Sequence, residues 1–229
     1  MIDFNADLGE GAGVEAELMP LITSASIACG GHAGDAATMR STLRLAAQHG
    51  LRLGAHPSFP DRAHFGRREL DLPSEAIMTS VQEQIAALAR AAAPEGLQLT
   101  YVKPHGALYN QACRDERVAA AVVAAVVPLG LALMGLPASA LERQVLAAGL
   151  AFIREGFGDR RYRPDGSLVP RTEADAFIHD PAEAAEQVRW LRQHRGVESI
   201  CVHGDGPNVV EFTARLRDLL RSDPGMTST

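Results

Sequence analysis

Short apolar segments alternate with longer amphipathic segments along the chain. Each apolar segment spans about five residues and carries few charges, which is typical of strands buried on both faces of a sheet. The segments lie at 2–6, 25–29, 51–55, 99–103, 131–135, 151–155 and 199–203. The pattern therefore predicts seven short strands.

The segments between these strands show helical spacing together with start and stop signals. Gly50 follows one segment as a stop signal, and Pro137 suits the first turn of another. Ser74 is the predicted N-cap of a helix that ends before Pro94. The predicted helices span 35–49, 74–93, 115–127, 137–148, 181–195 and 207–221.

Strands that alternate with helices, joined by right-handed crossovers, predict a parallel α/β fold. Seven strands fit either a barrel or a doubly wound sheet. No linker or internal repeat interrupts the pattern, so we expect one domain over residues 1–229, with a polar, frayed tail at 222–229.

Composition narrows the classes of function. The chain has 22 Lys and Arg residues against 28 Asp and Glu residues, a formal net charge of −6, so it lacks the basic surplus typical of nucleic-acid binding. We find neither an apolar run long enough for a membrane span nor the pattern of a signal peptide, and we expect a cytoplasmic protein. Cys29, Cys113 and Cys201 are too widely spaced for a disulfide framework or a structural zinc motif.

Polar side chains follow six of the seven predicted strands, at the point where each strand ends. In parallel α/β folds, the loops at the C-terminal ends of the strands build the active site. The residues in these positions are Asn5, Asp7, His32, His56, Lys103, His105, Glu155, His203 and Asp205. The sequence therefore predicts that they share one site.

Lys103 ends an apolar strand, where an ammonium group loses its hydration unless a charged partner is near. The candidate partners are Asp7, Glu155 and Asp205. One interpretation is a structural salt bridge in the mouth of a barrel. The other is a cation that holds a substrate carboxylate or phosphate, or that stabilises an oxyanion.

The other strand-end residues suit acid–base chemistry or substrate binding. Asp7 or Asp205 could act as a base, and His56, His105 or His203 could transfer protons near neutral pH. We expect a second set of residues to contact the substrate. This set includes one arginine from each of the long loops 56–73 and 156–179, because arginine suits the recognition of carboxylates and phosphates. The members of this set are Asn5, His32, Glu155, Arg68 and Arg161.

A divalent metal is an alternative use of the same residues. Asp7, His56 and His203 are the candidate ligands, although no spaced motif such as HExxH is present.

Seven segments then resemble one known family. They are NADLGE (5–10), IACGGHAGD (27–35), GAHPSFPD (54–61), FGRR (65–68), VKPHGALYN (102–110), DRRY (159–162) and ICVHGD (200–205). In this order they resemble the LamB/YcsF family of 5-oxoprolinase A subunits, over nearly the whole chain.

The resemblance implies a seven-stranded, TIM-like (β/α) barrel of the glycoside hydrolase/deacetylase type. It also implies ATP as a co-substrate in the ring opening of 5-oxo-L-proline to L-glutamate, with release of ADP and phosphate. The partners implied are 5-oxoprolinase subunits B and C. Two alternatives remain: a stand-alone, metal-dependent amide hydrolase or deacetylase, and a non-catalytic subunit that binds the substrate.

Four glycines depart from the pattern of the family. Gly31 stands where a Phe is usual, Gly156 and Gly158 replace bulkier residues, and Gly206 replaces a frequent Thr. We expect these changes to alter the shape of the substrate pocket, since a Phe-to-Gly change removes an apolar wall near His32 and adds backbone freedom.

Overall fold

Seven parallel strands close into one barrel in the computed structural model, which describes residues 2–203 and 208–222. Each strand pairs with the next along the chain, and the last also pairs with the first. The strands are β1 (Asp3–Leu8), β2 (Ser24–Ala28), β3 (Arg52–His56), β4 (Tyr101–Val102), β5 (Ala132–Gly135), β6 (Phe152–Phe157) and β7 (Ser199–Val202). The expected TIM-like barrel is confirmed, and the doubly wound sheet is excluded.

Helices follow the strands and surround the barrel. They are α1 (Glu15–Leu18), α2 (Ala36–Gln48), α3 (Ser74–Ala92), α4 (Gly106–Arg114), α5 (Glu116–Val126), α6 (Ala140–Ala147), α7 (Pro181–Arg195) and α8 (Val209–Arg221). Each of the longer helices buries one apolar stripe; α2, for example, buries Met39, Leu43 and Ala46. None of the helices in the described part of the chain is both long and apolar enough to cross a membrane. The expected tail at 222–229 lies outside the described residues except for Ser222.

Two helix N-termini differ from the prediction in how they are capped. Pro73 occupies the N-cap position of α3, so Ser74 is already inside the helix and makes no capping hydrogen bond. Helix α6 begins three residues after Pro137, because Ser139 Oγ accepts a hydrogen bond from the N–H of Glu142 at 3.1 Å. The Glu142 carboxylate in turn accepts one from the N–H of Ala138 at 2.6 Å, which closes a variant of the capping box.

Helix α4 is absent from the predicted elements. It follows β4 after three residues, and its first residue is Gly106, which has a left-handed φ of 57°. A Pro and a Gly so close together indicate a loop, although the helix buries Ala107, Leu108 and Ala112. Ala107, Tyr109 and Cys113 of this helix line the cavity that is described below.

The interior of the barrel is polar and internally hydrogen-bonded. Near the N-terminal ends of the strands, Asp3 accepts hydrogen bonds from Ser24 at 2.6 Å and from Ser199 at 2.5 Å. Ser26 and Tyr101 are joined at 3.0 Å in the next layer. Burying a polar group costs free energy unless the group is hydrogen-bonded. These bonds therefore allow polar side chains to fill successive layers inside the barrel.

The two helix starts generate a prediction about stability. Ser139→Ala should lower the free energy of unfolding by about 1 kcal/mol, because it leaves an N–H of α6 without its cap. The same change at Ser74 should alter it by no more than about 0.5 kcal/mol. Urea unfolding of the two variants measures both values, and equal losses would contradict the assigned caps.

Candidate active site

A cavity of about 940 Å³ lies at the C-terminal end of the barrel. Six ionisable residues that follow the strands line its floor. They are Asp7, Glu10, His56, Lys103, His105 and His203. The volume is near the upper end of the range for small-molecule sites, about 300–1,000 Å³. Five of the six were predicted from the sequence to share one site, and the structure brings them together.

Lys103 lies at the centre of this floor and is only 2% exposed. Its Nζ lies 2.8 Å from Asp7 Oδ1 and 2.7 Å from Glu155 Oε1, and it donates a hydrogen bond to Asn5 Oδ1 at 2.9 Å. Burial opposes the charged form, but the nearby carboxylates outweigh it and hold the pKa of Lys103 well above its usual value. Lys103 is therefore an ammonium ion that contacts two of its three expected partners.

Asp7 is the carboxylate that connects Lys103 to the histidines. Its Oδ2 lies 3.4 Å from His56 Nε2. Burial would raise the pKa of Asp7, but the charges of His56 and Lys103 outweigh burial and hold it well below the usual value. Asp7 is consequently ionised at neutral pH. Asp205, the other predicted base, lies outside the described residues.

Backbone carbonyls determine which nitrogens of His56 and His105 carry protons. His56 Nδ1 donates to the carbonyl of Lys103 at 2.7 Å, and His105 Nε2 donates to the carbonyl of Phe65 at 3.0 Å. A carbonyl oxygen can only accept, so both of these nitrogens bear hydrogen. The two remaining nitrogens, His56 Nε2 and His105 Nδ1, lie 2.9 Å apart.

Glu10 joins this pair and is a site residue that the sequence analysis missed. Its Oε1 lies 2.9 Å from His32 Nε2, 3.3 Å from His105 Nδ1 and 3.8 Å from His56 Nε2. Burial opposes ionisation, but the hydrogen bonds with His105 and His32 keep the pKa of Glu10 well below its usual value. The segment Gly9–Gly13 has the composition of a flexible turn; the signal that could have found Glu10 is its place in the NADLGE motif.

His32 lies behind the cavity floor. Its ring stacks on that of His105, with centroids 3.7 Å apart and planes inclined by 3°. Burial lowers the pKa of His32 to about 4, and it also lowers that of His105. His32 is therefore neutral at pH 7 and, like Asn5 and Glu155, supports the residues above it rather than lining the cavity.

His203 forms a pair with Asp159 on the opposite side of the floor. Its Nδ1 lies 2.9 Å from Asp159 Oδ2, and its backbone N–H donates to the same oxygen at 3.1 Å. Burial would raise the pKa of Asp159, but the charge of His203 and these hydrogen bonds lower it. A carboxylate on one ring nitrogen orients the ring and leaves the other nitrogen available for proton transfer. In the sequence analysis Asp159 appears only within the DRRY segment (159–162), and its pairing with His203 was not predicted.

The three predicted metal candidates fall into two clusters. His56 belongs with Glu10, His32 and His105, whereas Asp7 and His203 lie with Cys201. The second cluster surrounds a cation already, because Lys103 Nζ lies 3.2 Å from Cys201 Sγ. Of the two, only the first therefore resembles a metal site in its chemistry.

The arginines differ from expectation in their placement. Arg68 is exposed and Arg161 pairs with Glu183, and neither lines the cavity. Their neighbours Arg67 and Arg160 do. The sequence placed the arginine pairs in the correct loops, but loop geometry decides which member points inward. Substrate binding by Arg68 and Arg161 stays a prediction.

Three of the four unusual glycines do not open the cavity. A Cβ on Gly31 would lie 2.3 Å from the Gln84 side chain, which occupies this space and bonds to the backbone of Ser58. Gly156 faces Leu191, and Gly158 faces Leu216, on the outer side of the barrel. Neighbouring side chains therefore fill the space beside these three glycines, and a change in the shape of the pocket stays a prediction. Gly206 lies outside the described residues.

The contacts of Lys103 generate a second prediction. Lys103→Met should lower the free energy of unfolding by about 3–5 kcal/mol, because it leaves buried carboxylates without a cation. Adding Glu155→Gln should restore part of this loss. Arg114→Met breaks an exposed pair with Glu69 and should cost no more than about 1 kcal/mol. Urea unfolding is the measurement, and a Lys103→Met variant as stable as Arg114→Met would contradict the assignment.

Comparisons with known proteins agree with this architecture. A model described as the LamB/YcsF family matches residues 2–227. A protein of Symbiobacterium thermophilum that is named as the A subunit of 5-oxoprolinase is 45% identical, over 96% of this chain and 92% of its own. The crystal structure of a lactam utilization protein from Thermus thermophilus is 39% identical, with a TM-score of 0.86 and 96% of each chain covered.

A more distant structure shows the fold alone. A GH113 β-1,4-mannanase is 12% identical, with a TM-score of 0.52 over 96% of this chain and 98% of its own. The family match, in contrast, extends over nearly the whole sequence and includes every strand of the barrel. The chain belongs to the LamB/YcsF family.

Proposed function

We propose that this chain is the A subunit of an ATP-dependent 5-oxoprolinase. The reaction opens 5-oxo-L-proline to L-glutamate and releases ADP and phosphate. The name of the 45% identical relative, the A subunit of 5-oxoprolinase, supports both the activity and an enzyme of several subunits. The proposed partners are subunits B and C, and the proposed compartment is the cytoplasm.

The charge of the cavity wall supports anionic ligands. Six arginines and Lys103 line the cavity, against four carboxylates from Asp and Glu. The arginines are Arg67, Arg114, Arg160, Arg163, Arg171 and Arg195. Guanidinium groups bind carboxylates and phosphates through paired hydrogen bonds, so this wall fits both a nucleotide and the carboxylate of 5-oxo-L-proline.

ATP makes the stable lactam reactive. The lactam oxygen attacks the γ-phosphorus, the bond to ADP breaks, and the ring carbon becomes electrophilic. Water then adds to this carbon, and the carbon–nitrogen bond breaks as the nitrogen takes up a proton. A second water releases phosphate from the resulting acyl phosphate and leaves glutamate. These steps require a cation near the oxygen and groups that move protons.

The residues on the floor can divide these tasks. Lys103 supplies positive charge to the phosphorylated oxygen and keeps Asp7 ionised. The pair of Asp159 and His203 accepts a proton from water and returns it to the leaving nitrogen. The observation that carries the proposal is the convergence of this pair with Asp7 and Lys103 at one cavity floor.

A stand-alone, metal-dependent amide hydrolase is the second candidate. The cluster of Glu10, His32, His56 and His105 favours it, because imidazole and carboxylate groups are common ligands of hydrolytic zinc. This candidate requires no nucleotide and no partner.

Glutamate and phosphate release from 5-oxo-L-proline distinguishes the two candidates. The assay uses the chain alone and with its B and C partners, each with and without ATP. We expect activity only when partners and ATP are both present. Turnover by the chain alone without ATP, abolished by a chelator, would replace the proposal with the metal-dependent hydrolase.

Variants of the proton-transfer pair test the assigned roles in the reconstituted enzyme. His203→Gln should lower kcat by roughly 10²- to 10⁴-fold, because it removes the proton-transfer group. Asp159→Asn should also lower kcat, since the ring loses its orienting carboxylate. The control is His64→Gln at an exposed histidine outside the cavity lining. Full activity in a folded His203→Gln variant would remove His203 from the mechanism.

A further inference from the structure

Two lone pairs face each other at the centre of the Glu10, His56 and His105 group. The protons on His56 Nδ1 and His105 Nε2 are committed to backbone carbonyls. The other ring nitrogens, His56 Nε2 and His105 Nδ1, face one another at 2.9 Å, and each can offer a lone pair to a cation. Glu10 Oε1 adds a third acceptor. Three electron-pair donors that converge in a buried place require a positive centre between them.

The distances among these three atoms fit a small divalent cation. The separations are 2.9 Å between the two nitrogens, and 3.3 and 3.8 Å from Glu10 Oε1 to His105 Nδ1 and His56 Nε2. A point equidistant from all three lies about 2.0 Å from each, the length of a zinc–nitrogen or zinc–oxygen bond. The rings of His56 and His105 are inclined by 88°, so both can direct an in-plane lone pair at one point.

The surroundings of the three donors match those of metal ligands. Metal-binding histidines usually donate their second ring N–H to a carbonyl or carboxylate, as His56 and His105 both do. His32 cannot join them, because its ring is parallel to that of His105 at 3.7 Å and one ion cannot lie in both planes. His32 instead contacts Glu10 Oε1 and orients it.

We propose that Glu10, His56 and His105 bind one divalent cation of the zinc type, with His32 as a positioning residue. The donor set of two imidazoles and one carboxylate suits Zn²⁺ and its spectroscopic substitute Co²⁺. Three protein ligands leave a coordination position for water or substrate on the cavity side. The inference concerns binding alone and does not depend on the proposed function.

A shared proton between His56 and His105 is the competing occupant. It would satisfy the same lone pairs and would pair with Glu10 and Asp7. The two occupants differ in a measurable way, because only the cation site takes up a metal stoichiometrically at neutral pH.

Metal titration of the purified full chain tests the proposal. The protein is treated with a chelator, freed of it, and titrated with Zn²⁺ by calorimetry and with Co²⁺ by visible absorption. We expect one ion per chain and a Co²⁺ spectrum of low coordination number. Absence of stoichiometric binding by folded wild-type protein would overturn the proposal in favour of the shared proton.

Two variants remove a donor atom while keeping the neighbouring hydrogen bond. His56→Asn retains an N–H near the Nδ1 position that faces the Lys103 carbonyl, and His105→Gln retains one near the Nε2 position that faces Phe65. Each should weaken metal binding by more than about 100-fold. Replacing a residue that only hydrogen-bonds to a ligand costs about 10- to 100-fold in metal affinity, and loss of a ligand itself should cost more. Thermal unfolding of the metal-free proteins checks that both variants fold.

His32→Gln and His49→Gln separate positioning from nonspecific binding. His32→Gln should weaken binding by about 10- to 100-fold and change the Co²⁺ spectrum, with the stoichiometry unchanged. His49 is exposed at the end of α2, and its replacement should leave affinity and spectrum unaltered. Wild-type affinity in His56→Asn and His105→Gln, or an equal loss in His49→Gln, would also overturn the proposal.

Discussion

The buried ammonium of Lys103 constrains the barrel because an isolated charge cannot be placed in a protein interior without partners. β4 is only two residues long, and the buried Lys103 directly follows it. Its partners Asp7 and Glu155 come from two other strands, β1 and β6. The polar interior below is a consequence: the side chain of Asn5 bonds both Lys103 and Ser199, which links the charged layer to the serines beneath it. A shift in the register of β1 or β6 would therefore separate Lys103 from the carboxylates that neutralise it.

This pairing also determines the chemistry of the floor. Because Lys103 keeps Asp7 ionised, Asp7 is a weak base and is better suited to orienting His56 than to removing a proton. His203 is paired with Asp159 instead, although its ring lies in the same cluster as Asp7 and Cys201. The floor therefore has two sides. One side consists of Glu10 with His56 and His105, and the other consists of His203, which Asp159 orients. Lys103 lies between them.

Much of this arrangement follows from the sequence, and the remainder depends on loops. Buried strands end in polar residues, and parallel strands present those ends at one rim, so the convergence of Asp7, His56, Lys103 and His203 could be predicted. Glu10 and Asp159 could not be placed, because each lies beyond a strand where periodicity no longer fixes direction. The same reason explains why Arg67 rather than Arg68 lines the cavity. Helix α4 was hidden by Pro104 before it and by Gly106 at its first position. The N-cap of α3 is Pro73 rather than the predicted Ser74.

The space beside Gly31 has a consequence for how this chain can diverge from its relatives. The Gln84 side chain and the Ser58 hydroxyl occupy the volume that a side chain at position 31 would need, and Gln84 bonds the backbone of Ser58. A residue introduced at position 31 alone meets an occupied volume, whereas shortening Gln84 alone leaves a void and an unpaired amide. Positions 31 and 84 are therefore epistatic. A larger residue at position 31 is tolerated only when position 84 changes with it or has changed before it. A substitution that is neutral in a relative can for this reason be harmful here.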